Sequence, residues 1–298
     1  VQGLGLLALP SRREERGEMG FRTETRALSI LGLAWALVAL GCAAQQGEPP
    51  SAVPSKVESL MNVGDAHLRE GRYPAAMQHY MEADAMDPKN PELKFRIALV
   101  YVDYYKRLDE GIRYYEEAIR LRPNYSEAHN NLGVVYSRLK RWDEAIAMFQ
   151  KALNNLFYAT PEFAHYNMGL AYQGKGEPEK AIEHFKAAID LKGHYVDPHI
   201  ALGGIYQEAG RDAEALEAFQ RARSILEKRE PKGGRSREEE IAFYRSTLAA
   251  VCFHQGLSLA RLKRVPEARE AYQRALEAAV DEEMRRQIEK EMRSLPSQ

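Results

Sequence analysis

The stretch Ala145-Ile-Ala-Met-Phe149-Gln-Lys-Ala152 decides how the rest of the chain reads. A small residue, an aromatic four positions on and an alanine three later return to one face of a helix with 3.6 residues per turn. The same triad recurs as Ala76/Tyr80/Ala83, Gly111/Tyr115/Ala118, Ala181/Phe185/Ala188, Ala215/Phe219/Ala222 and Ala268/Tyr272/Ala275. Successive units begin 35, 34, 36, 34 and 53 residues apart. A small residue at the head of each triad lets two helices approach closely, and the aromatic fills the space beside it.

Working outward, a second pattern precedes each triad by about 12 residues. Gly64, Gly133, Gly169, Gly203 and Gly256 supply close contact, and Tyr101, Tyr136, Tyr172 and Tyr206 lie on the same helical side. Turn-forming segments separate the two helices, among them Glu70-Gly71-Arg72 and Ala209-Gly210-Arg211-Asp212. Pro88 and Pro123 fall where the first two units should stop, because proline cannot continue a helix.

This helix–turn–helix unit of about 34 residues resembles the tetratricopeptide repeat (TPR). The resemblance covers residues 57–282 in six copies. It implies an all-α, right-handed TPR solenoid of six helix-turn-helix repeats with a C-terminal capping helix over 283–298. The second unit departs from the pattern with Ala98 in place of the glycine and one extra residue in its turn. Phe157 and Gly193 stand where closing prolines would fall. The long last spacing places an insertion near 230–248, broken at Glu230-Pro-Lys-Gly-Gly-Arg-Ser236 and followed by a longer first helix from near Arg237.

The charges, 42 Lys plus Arg against 43 Asp plus Glu, are finely mixed, so no global field steers the chain toward nucleic acid. The N-terminus reads as a targeting segment over residues 1–41. Arg22 and Arg26 precede an apolar run from Ala27 to Leu40, shorter than the roughly 20 residues a permanent span needs. Met19 is the expected true start. The ending Ala39-Leu40-Gly41-Cys42 resembles a bacterial lipobox, with Ala39 in place of the usual leucine. That resemblance implies lipidation (palmitate included) at Cys42, and Ala43 after it implies the outer membrane, facing the periplasm. Residues 42–56 then hold the lipidated cysteine and a Pro-rich tether, whose stretch from Ala43 to Ser55 reaches roughly 40 Å at about 3.1 Å per residue.

Catalytic motifs are not evident: no metal-spaced His/Glu pair, phosphate loop or nucleophile elbow is found, so neither a cofactor nor a small-molecule substrate is expected. His129, His165 and His199 share one repeat position. Stacked repeats hold such positions about 8–10 Å apart, too far to converge on zinc at about 2.0–2.1 Å. They read as packing residues. Cys252 falls at the same position and reads as a buried apolar residue, with no bridge to Cys42.

What remains is the face made by the first helices. Phe95, Leu99, Val102, Asn130, Val134, Arg138, Phe163, Tyr166, Leu170, Ile200 and Gln207 are expected to line a concave groove. An apolar groove of this kind suits an amphipathic helix or an extended segment of a protein partner. Packing between neighbouring first helices is the competing account of the same residues. Phe95 and Leu99 replace the Lys and Asn of the carboxylate-clamp TPR subtype, although Asn131 matches one clamp position, so an acidic C-terminal tail is not the expected guest.

Leader, lipobox, tether and six repeats together resemble the lipoprotein pilotins of bacterial type IV pili. The resemblance implies a non-enzymatic scaffold that binds secretin subunits of the pilus machine, is held to the membrane by its lipid and is needed for pilus-dependent motility. The alternative is a TPR lipoprotein adaptor for peptidoglycan hydrolases or other envelope-assembly machinery.

Overall fold

Residues 55–229 and 238–296 are described by a computed structural model. The leader (1–41), Cys42, the tether up to residue 54 and the linker 230–237 lie outside the described residues. Among the described residues there are thirteen α-helices and no strand. They pair as hairpins: α1 (Lys56–Arg69) with α2 (Tyr73–Met86), α3 (Pro91–Asp103) with α4 (Leu108–Leu121), and α5 (Ser126–Arg138) with α6 (Trp142–Leu153). Then come α7 (Pro161–Lys175) with α8 (Pro178–Leu191), α9 (Val196–Glu208) with α10 (Asp212–Glu227), and α11 (Glu238–Arg261) with α12 (Val265–Ala278). A last helix, α13 (Glu282–Ser294), follows. Residues 238–248 of the expected insertion thus belong to α11, whose 24 residues lengthen the sixth first helix. No described helix is long and apolar enough to cross a membrane.

The repeated triad is the core of each hairpin. Tyr80, Tyr115, Phe149, Phe185, Phe219 and Tyr272 are at most 1% exposed. Burying each such ring contributes about 1.5–3 kcal/mol relative to leaving it in water. Five rings lie directly on the glycine of the partner helix. A methyl group built at Gly64, Gly133, Gly169, Gly203 or Gly256 would lie 2.4–2.6 Å from a ring carbon of Tyr80, Phe149, Phe185, Phe219 or Tyr272. Glycine is needed there for proximity.

The second hairpin solves the same problem from the other side. Ala98 occupies the glycine place on α3, and the hydrogen-sized gap moves to Gly111 on α4, where an added Cβ would meet Val102 Cγ2 at 2.2 Å. Val102 is 2% exposed. Its assignment to the groove is therefore corrected: its methyl fills the hollow that Gly111 leaves.

Every turn inside a hairpin holds one residue with a left-handed backbone. It is Gly71 (φ 71°), Gly176 (φ 83°) or Gly210 (φ 70°) in three hairpins and Lys106 (φ 55°), Lys140 (φ 59°) or Lys263 (φ 60°) in the others. Such a residue ends one helix and reverses the chain within a few positions. An arginine follows it in five of the six turns. Arg107, Arg141, Arg211 and Arg264 each pair with a glutamate three residues on, in place of a side-chain cap. At the C-terminal end α13 covers the last hairpin: Ile288, fully buried, and Leu295 join the cluster of Ala275, Ala278 and Ala279.

Candidate functional site

The first helices α3, α5, α7, α9 and α11 lie side by side, and the residues expected to line the groove form the seam between them. Phe95 is half-buried, its ring centroid 5.2 Å from Tyr125 and 5.8 Å from Tyr115. Phe163 meets Tyr195 edge-on at 5.3 Å, with the Lys192 ammonium 4.8 Å from its ring centre. Tyr166 also meets Tyr195 at 5.3 Å, and burial pushes its phenol well above the usual range. These aromatics join consecutive repeats, as the packing account anticipated. Tyr125 and Tyr195 went unrecognised in the sequence, although each stands eight residues before its repeat glycine.

The polar members tie the helices together. Arg138 on α5 donates to Asp103 on α3 at 3.5 Å, while burial raises the Asp103 carboxyl against the pull of that guanidinium. Asn130 is buried; its carbonyl accepts from Asn167 Nδ2 on α7 at 3.1 Å, and its own amide donates to Asn131 at 3.3 Å. Gln207 is likewise buried and donates to Ser258 Oγ (2.9 Å) and the His254 carbonyl (3.1 Å) on α11. Asp65, Arg96 and Tyr80 make a comparable knot further up, with Arg96 Nε at 2.9 Å and the Tyr80 hydroxyl at 2.6 Å from Asp65 Oδ1. Nothing in the repeat pattern marks Asp65 or Asn167, because each is set by a neighbour 31 or 37 residues away.

Leu99, Val134 and Ile200 are half-buried against the core, and Leu170 on α7 is 37% exposed. These four keep apolar surface available on the face. It offers aliphatic patches and one half-exposed ion pair, while Asn130 and Gln207, expected to line the groove, are buried and already taken by neighbouring helices.

The three histidines do not meet. His129 Nε2 pairs with the Pro123 carbonyl at 2.9 Å and His199 Nε2 with the Gly193 carbonyl at 3.2 Å. His165 Nδ1 instead faces His184 Nδ1 at 3.1 Å. With ring centroids 5.4 Å apart, the two nitrogens point at each other head-on, the geometry of one shared proton. Among the described residues no group of three His, Cys, Asp or Glu could hold a metal ion. Cys252 is free and 1% exposed, and burial pushes its thiol up to about 11.

Comparison with known proteins agrees with this geometry. Two tetratricopeptide-repeat family models match the chain, one over residues 95–156 and 162–228, the other over 31–91 and 249–282. The solved structure of PilW, described as a widely conserved type IV pilus biogenesis factor, is similar with a TM-score of 0.65 at 22% identity, over 79% of this chain and 100% of that one. The structure of PilF from Pseudomonas aeruginosa gives 0.64 at 14% identity, over 79% and 97%. At these identities the likeness is one of fold. Among curated sequences, human protein O-mannosyl-transferase TMTC1 is 25% identical over 177 residues, 58% of this chain and 20% of TMTC1. The chain thus spans about a fifth of that relative's length. With six helical hairpins in register, five of them glycine-on-ring, and the family models matched along most of its length, the chain belongs to the tetratricopeptide-repeat family.

Proposed function

We propose that the chain is an outer-membrane lipoprotein that binds the secretin of a type IV pilus and promotes its assembly, using the face of its first helices as the holding surface. The observation that carries the reading is the row of Leu99, Val134, Leu170 and Ile200, apolar side chains on neighbouring first helices with amides and an ion pair between them. The likeness of this array to the whole of the solved PilW chain, described as a type IV pilus biogenesis factor, adds support. No covalent step is needed. Lipidated Cys42 would fix the scaffold to the membrane, and a secretin segment would rest on the face until subunits associate.

Leu170→Glu is the sharper test of the face, because Leu170 is already 37% exposed and a carboxylate there keeps its water. Phe163→Glu would instead break the edge-on contact with Tyr195 and disturb folding. Affinity capture from detergent-solubilised envelopes should recover secretin with the wild-type chain and lose it with Leu170→Glu at unchanged helicity. Recovery of peptidoglycan hydrolases in place of secretin would refute the reading. Cys42→Ala should leave the membrane fraction; normal fractionation would refute the anchor.

A further inference from the structure

The turn between α6 and α7 carries the two most exposed large apolar side chains among the described residues. Leu156 is 94% exposed and Phe157 93%. The turn is nevertheless rigidly held. Asn155 Nδ2 donates to the Asn124 carbonyl at 3.2 Å and to Ser126 Oγ at 2.9 Å, in the preceding turn on the same edge. Asn155 Oδ1 accepts from the Phe157 amide at 3.0 Å, its carbonyl accepts from the Tyr158 amide at 3.1 Å, and Tyr158 is buried. Leu156 and Phe157 are thus the two corner residues of a pinned β-turn. The corresponding corners in other repeats are polar or small: Pro88-Lys89, Pro123-Asn124 and Gly193-His194.

One repeat further along that edge is an open hollow of about 430 Å³, lined among others by Gly193, His199, Arg221, Ser224, Ile225 and Lys228, and, among the described residues, by no acidic one. A cavity of about 150 Å³ already accepts a benzene ring. Elsewhere on this edge the chain sets a cation over an aromatic ring: Arg122 over Tyr125 at 4.6 Å and Lys192 over Phe163 at 4.8 Å. Arg221 and Lys228 have neither ring nor carboxylate among the described residues, and Phe157 has no cation. Among the described residues the two halves of one motif stand unpartnered on the same edge.

We propose that the missing half is supplied by a second copy of this chain: the Leu156–Phe157 turn of each copy enters the Arg221–Ile225–Lys228 hollow of the other. Because knob and hollow share an edge one repeat apart, a two-fold axis satisfies both at once and the assembly closes as a dimer rather than growing. The ring meets cations over its face, Ile225 takes the leucine, and Ser224 can donate to a turn carbonyl. An aromatic buries about 150–250 Å², so two such contacts fall short of the roughly 1,200 Å² of a standard interface. The dimer is weak and reversible.

Sedimentation velocity of the full chain in mild detergent, over about a hundredfold concentration range, should show a monomer–dimer equilibrium. Phe157→Ser and Arg221→Glu should each weaken it by at least about tenfold, as loss of a central anchor does, with helicity unchanged since Phe157 is solvent-facing and Arg221 is exposed. In a Cys42→Ala background, mixing Phe157→Cys and Ser224→Cys chains should give a covalent dimer under oxidation, more than either chain alone. Monomer at every concentration, a dimer indifferent to both substitutions, or vesicle binding through the turn by a chain that stays monomeric would each overturn the proposal. Leu170→Glu should leave the dimer intact, so this result and the groove test fail independently.

Discussion

Replacing Gly169 with alanine tests the close approach on which every hairpin depends. The new methyl would lie 2.6 Å from Phe185 Cε1, where carbon atoms prefer about 3.5–4.0 Å. The ring is fully buried, with Tyr166 at 5.8 Å, and has no free direction in which to retreat. Forcing a methylene into such a site costs about 1–3 kcal/mol. Alanine in place of glycine inside a helix returns about 1 kcal/mol. Gly204, in the middle of α9, is the control, since a Cβ there meets nothing within 4 Å. Gly204→Ala should therefore stabilise by about 1 kcal/mol. Helix propensity cancels between the two variants, so the gap between them isolates the packing cost, about 1–3 kcal/mol. Urea unfolding followed by circular dichroism would measure it, compared at the midpoint because a repeat array need not unfold in one step. Phe185→Leu added to Gly169→Ala should recover part of the loss, a coupling that separate sites would not show. If Gly169→Ala stabilises as much as Gly204→Ala, the glycine-on-ring account is refuted.

Phe149→Ala and Phe185→Ala should each cost about 3–5 kcal/mol in the same assay, as deletion of a fully buried ring does; no change in either would contradict their burial. Burial lowers the pKa of His129, His165, His184, His199 and His254 below 6.5, so the unfolded chain binds protons that the folded chain resists. Their contribution to stability is present above pH 6.5 and is lost as the pH falls below it. Melts at pH 7 and pH 5 should therefore differ in favour of the higher, and less so in His184→Gln. Cys252, with its thiol pushed up to about 11, should resist alkylation in the native protein and react once urea opens the array.

Triad and glycine spacing were enough to place the hairpins, because both report a contact between adjacent helices of one repeat. Val102 escaped that logic. Its burial depends on a gap having moved from residue 98 to residue 111, which a position-by-position comparison of first helices does not register. Groove residues were harder for a related reason: Asn130, Gln207 and Tyr166 are consumed by partners in the next repeat. A face position can therefore read as available when its neighbour has already taken it. Phe157 was visible only as a departure from proline and Leu156 not at all, and their exposure follows from Asn155 holding the turn, a contact that spans 31 residues.

Half of the hairpin turns in this molecule are more comfortable than the other half. Lys106, Lys140 and Lys263 hold side chains in a backbone region that costs an L-residue roughly 1–2 kcal/mol, while Gly71, Gly176 and Gly210 occupy it freely. The array therefore carries headroom: it can be toughened from its rim, one hairpin at a time, without a single atom of its interior or of its first-helix face being changed.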